Sequence, residues 1–100
     1  MFLYNVTIGI DPEDEKEWVL WMRQTHIPEV MKTGAFKEYK FFKVLGGNPR
    51  DGAVSFSIQY FANSMDAIEK YLDQYAPSLV EKHKQRFKNH VSFRTLLEEM

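Results

Sequence analysis

The sequence predicts an α+β fold in which a four-stranded antiparallel sheet carries helices on one face. Segments with the two-residue hydrophobic alternation of strands take turns with segments of helical periodicity, in the order strand, helix, strand, strand, helix, strand. The length of 100 residues predicts one domain over residues 1–100. Hydrophobic residues make up 44% of the chain and charged residues 27%, which is the composition of a globular protein rather than a disordered one.

The first part of the chain predicts one strand and one long helix. Alternation from Phe2 to Ile10 predicts the strand. Asp11 is suited to the N-cap of the helix and Pro12 to its first position. Because Pro28 cannot lie undisturbed inside a helix, we expect a kink or a break around residues 26–27.

The second part predicts a hairpin, two helical segments and a final strand. Residues 46–52 have the composition of a loop, and the strands that flank them read as a hairpin. Ser64 is suited to cap the next helix, which has Met65, Ile68, Leu72 and Tyr75 as its apolar stripe and is interrupted at residues 76–77. A third helical segment directs Leu79, Val80, His83 and Phe87 inward. The predicted strands cover residues 36–45, 53–61 and 91–97.

This order of elements is that of the ferredoxin-like βαββαβ fold, with an extra helical segment before the last strand. Helices cover one face of such a sheet, so the other face should be polar in a monomer. In the second strand both faces are instead apolar, with Phe36, Phe42 and Val44 opposing Tyr39, Phe41 and Leu45. Since an exposed apolar patch usually marks an interface, we expect a homodimer that packs sheet against sheet. The alternative is a monomer whose Lys and Tyr side chains shield the face.

Composition also argues against several classes of function. Thirteen basic and fourteen acidic residues give a net charge of −1, which argues against nucleic-acid or membrane partners. RNA-binding domains share the order of elements, but here the third strand follows Asp51 and carries Ser55 and Ser57, which is a poor match to their pattern. With no cysteine, no long apolar run and no signal peptide, a cytoplasmic protein is expected.

His26 is the candidate catalytic residue. It lies at the end of the first helix, beside Trp18 and Met22. A histidine in this place can act as a general base, a hydrogen-bond donor or a haem ligand, or it can cap the helix by donating to a free carbonyl. His83 could face the same space between sheet and helices as His26. Two histidines need a third ligand to hold a metal, and we expect neither a metal site nor a cofactor.

The candidate ligand-binding residues are Trp18, Trp21, Met22, Asn5 and His83. Polar side chains share one face of the first strand and one face of the third, and Asn5 belongs to the first of these rows. If that row faces the helices, it supplies hydrogen-bonding groups to an apolar pocket; if it faces a partner, it lies in an interface. The sequence leaves open which face is which.

Two further side chains are given structural roles. Arg94 could pair with a substrate carboxylate or with Glu38 across the sheet, and we favour the pair with Glu38. His90 lies in a turn, where we expect it to be solvated.

A resemblance to a known family adds to this interpretation. Residues 18–30 read W-x-x-W-M-x-x-x-H-I-P-E-V and residues 34–36 read G-x-F, a pattern that resembles the first helix of the dimeric α+β barrel superfamily. The chain is most similar to a short bacterial family of unknown function within it. The resemblance implies two subunits whose sheets pack into a barrel and a cavity between sheet and helices in each subunit.

The resemblance does not select an activity. Superfamily members include cofactor-free monooxygenases, haem-degrading enzymes, muconolactone-type isomerases and sugar mutarotases, and fold alone does not choose among them. The second helix lacks the tryptophan of the haem-degrading members. Two hypotheses stay open: a small-molecule-binding protein acting as a cofactor-independent isomerase or monooxygenase-like enzyme, and a non-catalytic homodimeric binding or regulatory module.

Overall fold

The computed structural model describes residues 1–46 and 52–100 and confirms the ferredoxin-like architecture. Four strands form one antiparallel sheet in the order β2-β3-β1-β4. They are β1 (Phe2–Ile10), β2 (Glu38–Lys43), β3 (Val54–Ala62) and β4 (His90–Glu98). The helices are α1 (Glu15–Trp21), α2 (Ile27–Lys32), α3 (Met65–Gln74) and α4 (Ala76–Arg86), and among the described residues none is long and apolar enough to cross a membrane. The predicted loop over residues 46–52 lies largely outside the described residues.

The alternation along β1 decides which face of the sheet the helices cover. The side chains that point from this strand into the core are Tyr4, Val6, Ile8 and Ile10. The antiparallel register continues this face into β3 through Phe56, Ile58, Tyr60 and Ala62. The polar row that contains Asn5 and Thr7 therefore lies on the opposite, open face, which settles the question that the sequence left open.

The first helical region runs from residue 15 to residue 32, and the kink or break expected around residues 26–27 takes the form of a π-helical turn. A π-helical turn, Met22–His26, joins α1 to α2, and the Ile27 N–H donates to the Met22 carbonyl five residues earlier. Pro28 then lies in the first turn of α2, where its missing N–H costs least. The proline is thus accommodated by a π turn, a feature that is frequent at functional sites.

In the second helical region the predicted cap is confirmed, but one residue that we expected to point inward is exposed. The Ser64 hydroxyl accepts a hydrogen bond from the Ala67 N–H at 3.2 Å. Ile68 and Tyr71 are buried, whereas Tyr75, which we expected in the apolar stripe, is 38% exposed because α3 has already ended. In α4 the buried side chains include Leu79 and His83, and Phe87 follows them, as predicted.

The two edges of the sheet are formed by β2 and β4. β2 begins and ends two residues inside the predicted strand, with Phe36 buried just before it. Because the two strands lie at opposite edges, the expected pair between Arg94 and Glu38 is wrong. Arg94 lies on the helix-covered face, where its Nε donates to the hydroxyl of Tyr4 at 2.7 Å.

Candidate functional site

A cavity lies between the sheet and the helices and is bordered by β4. Its volume is about 40 Å³, which is room for roughly three water-sized groups at about 10–15 Å³ each. Most of its wall is apolar. The ionisable side chains in the wall include Tyr4, His26, Tyr71, His83, His90 and Arg94. A mostly apolar cavity with a few converging polar groups has the character of a small-molecule site.

His83 is fixed in the wall by a hydrogen bond from a distant part of the chain. Its Nε2 accepts from the indole N–H of Trp18 at 2.9 Å, and both side chains are buried. The neutral ring therefore carries its proton on Nδ1. Burial, with smaller contributions from the charges of nearby His90, His26 and Arg94, lowers the pKa of His83 to about 3. His83 is thus neutral at pH 7, and the lone pair of its Nε2 already accepts the hydrogen bond from Trp18.

His26 differs from His83 because its buried nitrogen has no partner. The ring belongs to the π turn and stacks on Trp21, with centroids 5.2 Å apart. Its Nδ1 is buried and meets no hydrogen-bond partner in the described part of the chain. Burial lowers the pKa of His26 to about 4, although the carboxylate of Glu29 opposes the shift. The imidazole is therefore neutral at pH 7 and free to exchange a hydrogen bond or a proton with a ligand.

His90 corrects the expectation that this residue is solvated. It is the first residue of β4, is half-buried, and meets His83 edge to face with ring centroids 4.4 Å apart. Its Nδ1 lies 2.6 Å from the carbonyl oxygen of Phe87, so this nitrogen is the donor. The sequence carried a signal for this position, because strand alternation places His90 on the same face as Arg94.

The three histidines lie close together without forming a metal centre. The rings of His26 and His83 are 5.9 Å apart between centroids. Over residues 1–46 and 52–100, no three His, Asp or Glu side chains are arranged to hold a metal ion. As placed here, the histidines offer hydrogen bonding and proton transfer.

The remaining polar wall of the cavity presents donors. Burial raises the pKa of Tyr4, although Arg94 opposes the shift, and burial also raises the pKa of Tyr71. Both hydroxyls therefore stay protonated at neutral pH, while the guanidinium stays charged. No Asp or Glu is found among the described residues of the wall.

The structure brings three of the predicted site residues together at the cavity. Met22, His26 and His83 line it. Trp18 is fully buried next to His83, so it supports the wall rather than lining it. Trp21 covers the ring of His26 and also faces an outer groove.

Asn5 is not brought together with the others. On the open face, its Nδ2 donates to the Thr7 hydroxyl at 3.0 Å, and its Oδ1 accepts from the Ser57 hydroxyl at 2.6 Å. The cavity instead contains Tyr4 and Tyr71, which the sequence interpretation did not select. The alternation of β1 could have indicated Tyr4, since this residue shares its face with the buried positions of that strand.

The sheet order, the helices on one face and the cavity between them define a ferredoxin-like α+β protein. The family model "Domain of unknown function (DUF4286)" matches residues 1–100, and the chain belongs to this family. Among curated proteins, no sequence matches.

Three solved structures illustrate the similarity in fold. HapK from Hahella chejuensis superposes with a TM-score of 0.73 at 8% identity, covering 100% of this chain and 93% of that one. A dimeric ferredoxin-like protein from an uncultured marine organism superposes with a TM-score of 0.69 at 14% identity, covering 100% of this chain and 98% of that one. SnoaB, a cofactor-independent oxygenase from Streptomyces nogalater, superposes with a TM-score of 0.60 at 13% identity, covering 98% of this chain and 92% of that one. At such identities the likeness concerns the fold alone.

Proposed function

We propose that this chain is a single-domain homodimeric protein that binds a small molecule in the cavity between its sheet and its helices. The observation that carries the proposal is the buried Nδ1 of His26, which has no partner among the described residues, on a residue that lines the cavity. A buried polar atom without a hydrogen bond costs about 1–3 kcal/mol. A ligand that bonds to His26 would remove this cost.

The reaction class that fits the cavity is proton transfer, as in a cofactor-independent isomerase or monooxygenase-like enzyme, with His26 as the catalytic residue. A neutral imidazole can accept a proton from a C–H or O–H acid, and the electron pair then stays on the substrate as an anion. The positive charge of Arg94, in the same wall, would stabilise negative charge on the bound substrate. The description of SnoaB as a cofactor-independent oxygenase supports the proposal that this fold can work without a cofactor.

Native mass spectrometry on protein purified gently from its own host cells tests whether the protein carries a bound small molecule. We expect a dimer with an additional small mass, and we expect His26→Ala to remain folded but to lose that mass. Thr25→Ala is the matched control, because Thr25 is exposed and lies outside the cavity wall. Equal retention of the mass by His26→Ala and the wild type would remove His26 from the site.

The open face of the sheet is the surface on which we propose that two copies pair. Its apolar side chains are Leu3, Phe42, Phe61, Val91, Phe93 and Leu97. The polar group around Asn5 lies among them. In a two-fold dimer each subunit contributes the same surface. The polar group around Asn5 of one subunit can then contact the same group of the other, while the apolar side chains around it cover one another. A protein of similar fold is described as dimeric, which supports the proposal that two copies pair.

Phe93→Lys is expected to weaken the dimer by at least about 100-fold, because each dimer would then bury two ammonium groups. The Phe93 side chain is 62% exposed in the isolated chain, so the fold of the subunit should survive the change. Leu20→Lys is the control, since Leu20 is 54% exposed on α1, on the helical side of the molecule. Sedimentation equilibrium measures the result, and a wild-type chain that is monomeric at micromolar concentration would contradict the proposed dimer.

A further inference from the structure

We propose that the cavity recognises a carboxylate group and that the guanidinium of Arg94 binds it. This inference rests on the function proposed above and names the chemical class of its ligand.

The first argument is the orientation of Arg94. Its Nε is held by the hydroxyl of Tyr4 at 2.7 Å, which restricts the orientation of the guanidinium plane. The two Nη nitrogens find no acceptor among the residues that the structure describes. A guanidinium whose Nη donors meet no protein acceptor is complementary to a planar carboxylate, which accepts two parallel hydrogen bonds.

The second argument is the charge of the wall. Arg94 is its one permanent cation, and no carboxylate stands beside it among the described wall residues. Glu29, which lies near His26, is already bonded to Lys82 at 3.0 Å on the surface. Arg94 is an exposed residue at the border of the cavity. Its positive charge is not balanced by an acidic residue of the described wall, so it attracts a ligand of the opposite sign.

The third argument is size. A volume of about 40 Å³ holds roughly three water-sized groups. A carboxylate, with one carbon and two oxygens, fits within that volume, whereas a phosphate, with five heavy atoms, would fit only in part. The acid group would thus fill the cavity, and the rest of the ligand would extend from it towards solvent.

Calorimetric titration of the wild-type dimer with three matched pairs of probes tests the inference. The pairs are acetate and acetamide, butyrate and butyramide, and benzoate and benzamide, with inorganic phosphate as a further probe. In at least one pair we expect the carboxylate to bind about 10- to 100-fold more tightly than its amide. We expect phosphate to bind no better than the amides. This comparison uses only the wild-type protein and does not depend on the folding of a variant.

Two variants locate the effect. Arg94→Gln should abolish the preference for the carboxylate, whereas Arg86→Gln should keep it. Arg86 is the matched control, because it carries the same charge but bonds Glu17 on the outer surface of α4. An unchanged preference in Arg94→Gln would overturn the role of Arg94.

The outcomes separate this inference from the proposed function. Equal binding of carboxylates and amides, or preferential binding of phosphate, would overturn the carboxylate class while leaving a small-molecule site in place. Failure of every probe, together with a dimer from host cells that carries no added mass, would overturn both.

Discussion

Trp18→Ala is expected to lower the free energy of unfolding by about 3–5 kcal/mol, the range for truncation of a fully buried tryptophan. Trp18 is 0% exposed. Its ring packs against Phe56 and Phe41, with centroid distances of 4.7 Å and 5.7 Å. The substitution would also remove the donor to His83 Nε2 and leave a buried acceptor unpaired.

Two control variants divide this loss into packing and hydrogen bonding. Trp18→Phe keeps most of the apolar volume but removes the indole N–H, so we expect a smaller loss of about 1–3 kcal/mol. Trp21→Ala truncates a tryptophan that is only partly buried, and its loss should also be smaller than that of Trp18→Ala.

Urea unfolding followed by circular dichroism at fixed protein concentration measures these differences, since the stability of the proposed dimer would depend on concentration. A loss below about 1 kcal/mol for Trp18→Ala would contradict the burial of this side chain.

The strands and caps could be predicted because their signals are local. The alternation in β1 gave its bounds, and the Ser64 cap is a short-range bond over three residues. The cavity depends on contacts that no window of sequence contains. The bond between Trp18 and His83 joins positions 65 residues apart, and the bond between Arg94 and Tyr4 joins positions 90 residues apart.

The face assigned to Asn5 shows a second limit of the sequence. Alternation sorts a strand into two rows but does not say which row meets the helices. In β1 the buried row is the more apolar one, so composition would have been a guide there. In β2 it would not, because Phe41 on the helix side and Phe42 on the open side are both large and apolar.

Pro28 shows a third limit. Its sequence position correctly indicated a disturbance of the helix, but several backbone geometries can accommodate a proline. The structure uses a π turn upstream of Pro28 instead of a break. The choice determines where His26 lies, because this residue ends the π turn and its ring reaches the cavity.

Lowering the pH from 6.5 to 5.0 is expected to destabilise the fold by on the order of 3 kcal/mol through His26 and His83 together. Burial holds the pKa of His26 at about 4 and that of His83 at about 3 in the folded protein. In the unfolded chain both titrate near the ordinary value of about 6.5. Below that pH the unfolded state therefore binds more protons than the folded state, so stability falls as the pH falls. The loss continues until the pH reaches the folded pKa values.

Urea unfolding at pH 7.5, 6.5, 5.5 and 5.0 measures this dependence, in a window above the ordinary carboxylate pKa values of about 4. His26→Gln removes one of the two titrating rings, so we expect it to reduce the dependence on pH by roughly half. At pH 7.5 the free energy of unfolding of this variant should stay close to the wild-type value, because the buried Nδ1 of His26 makes no hydrogen bond to the described residues. A wild-type stability that stays constant between pH 7.5 and 5.0 would show that burial does not lower the pKa values of the two rings, and it would contradict their burial in the cavity wall.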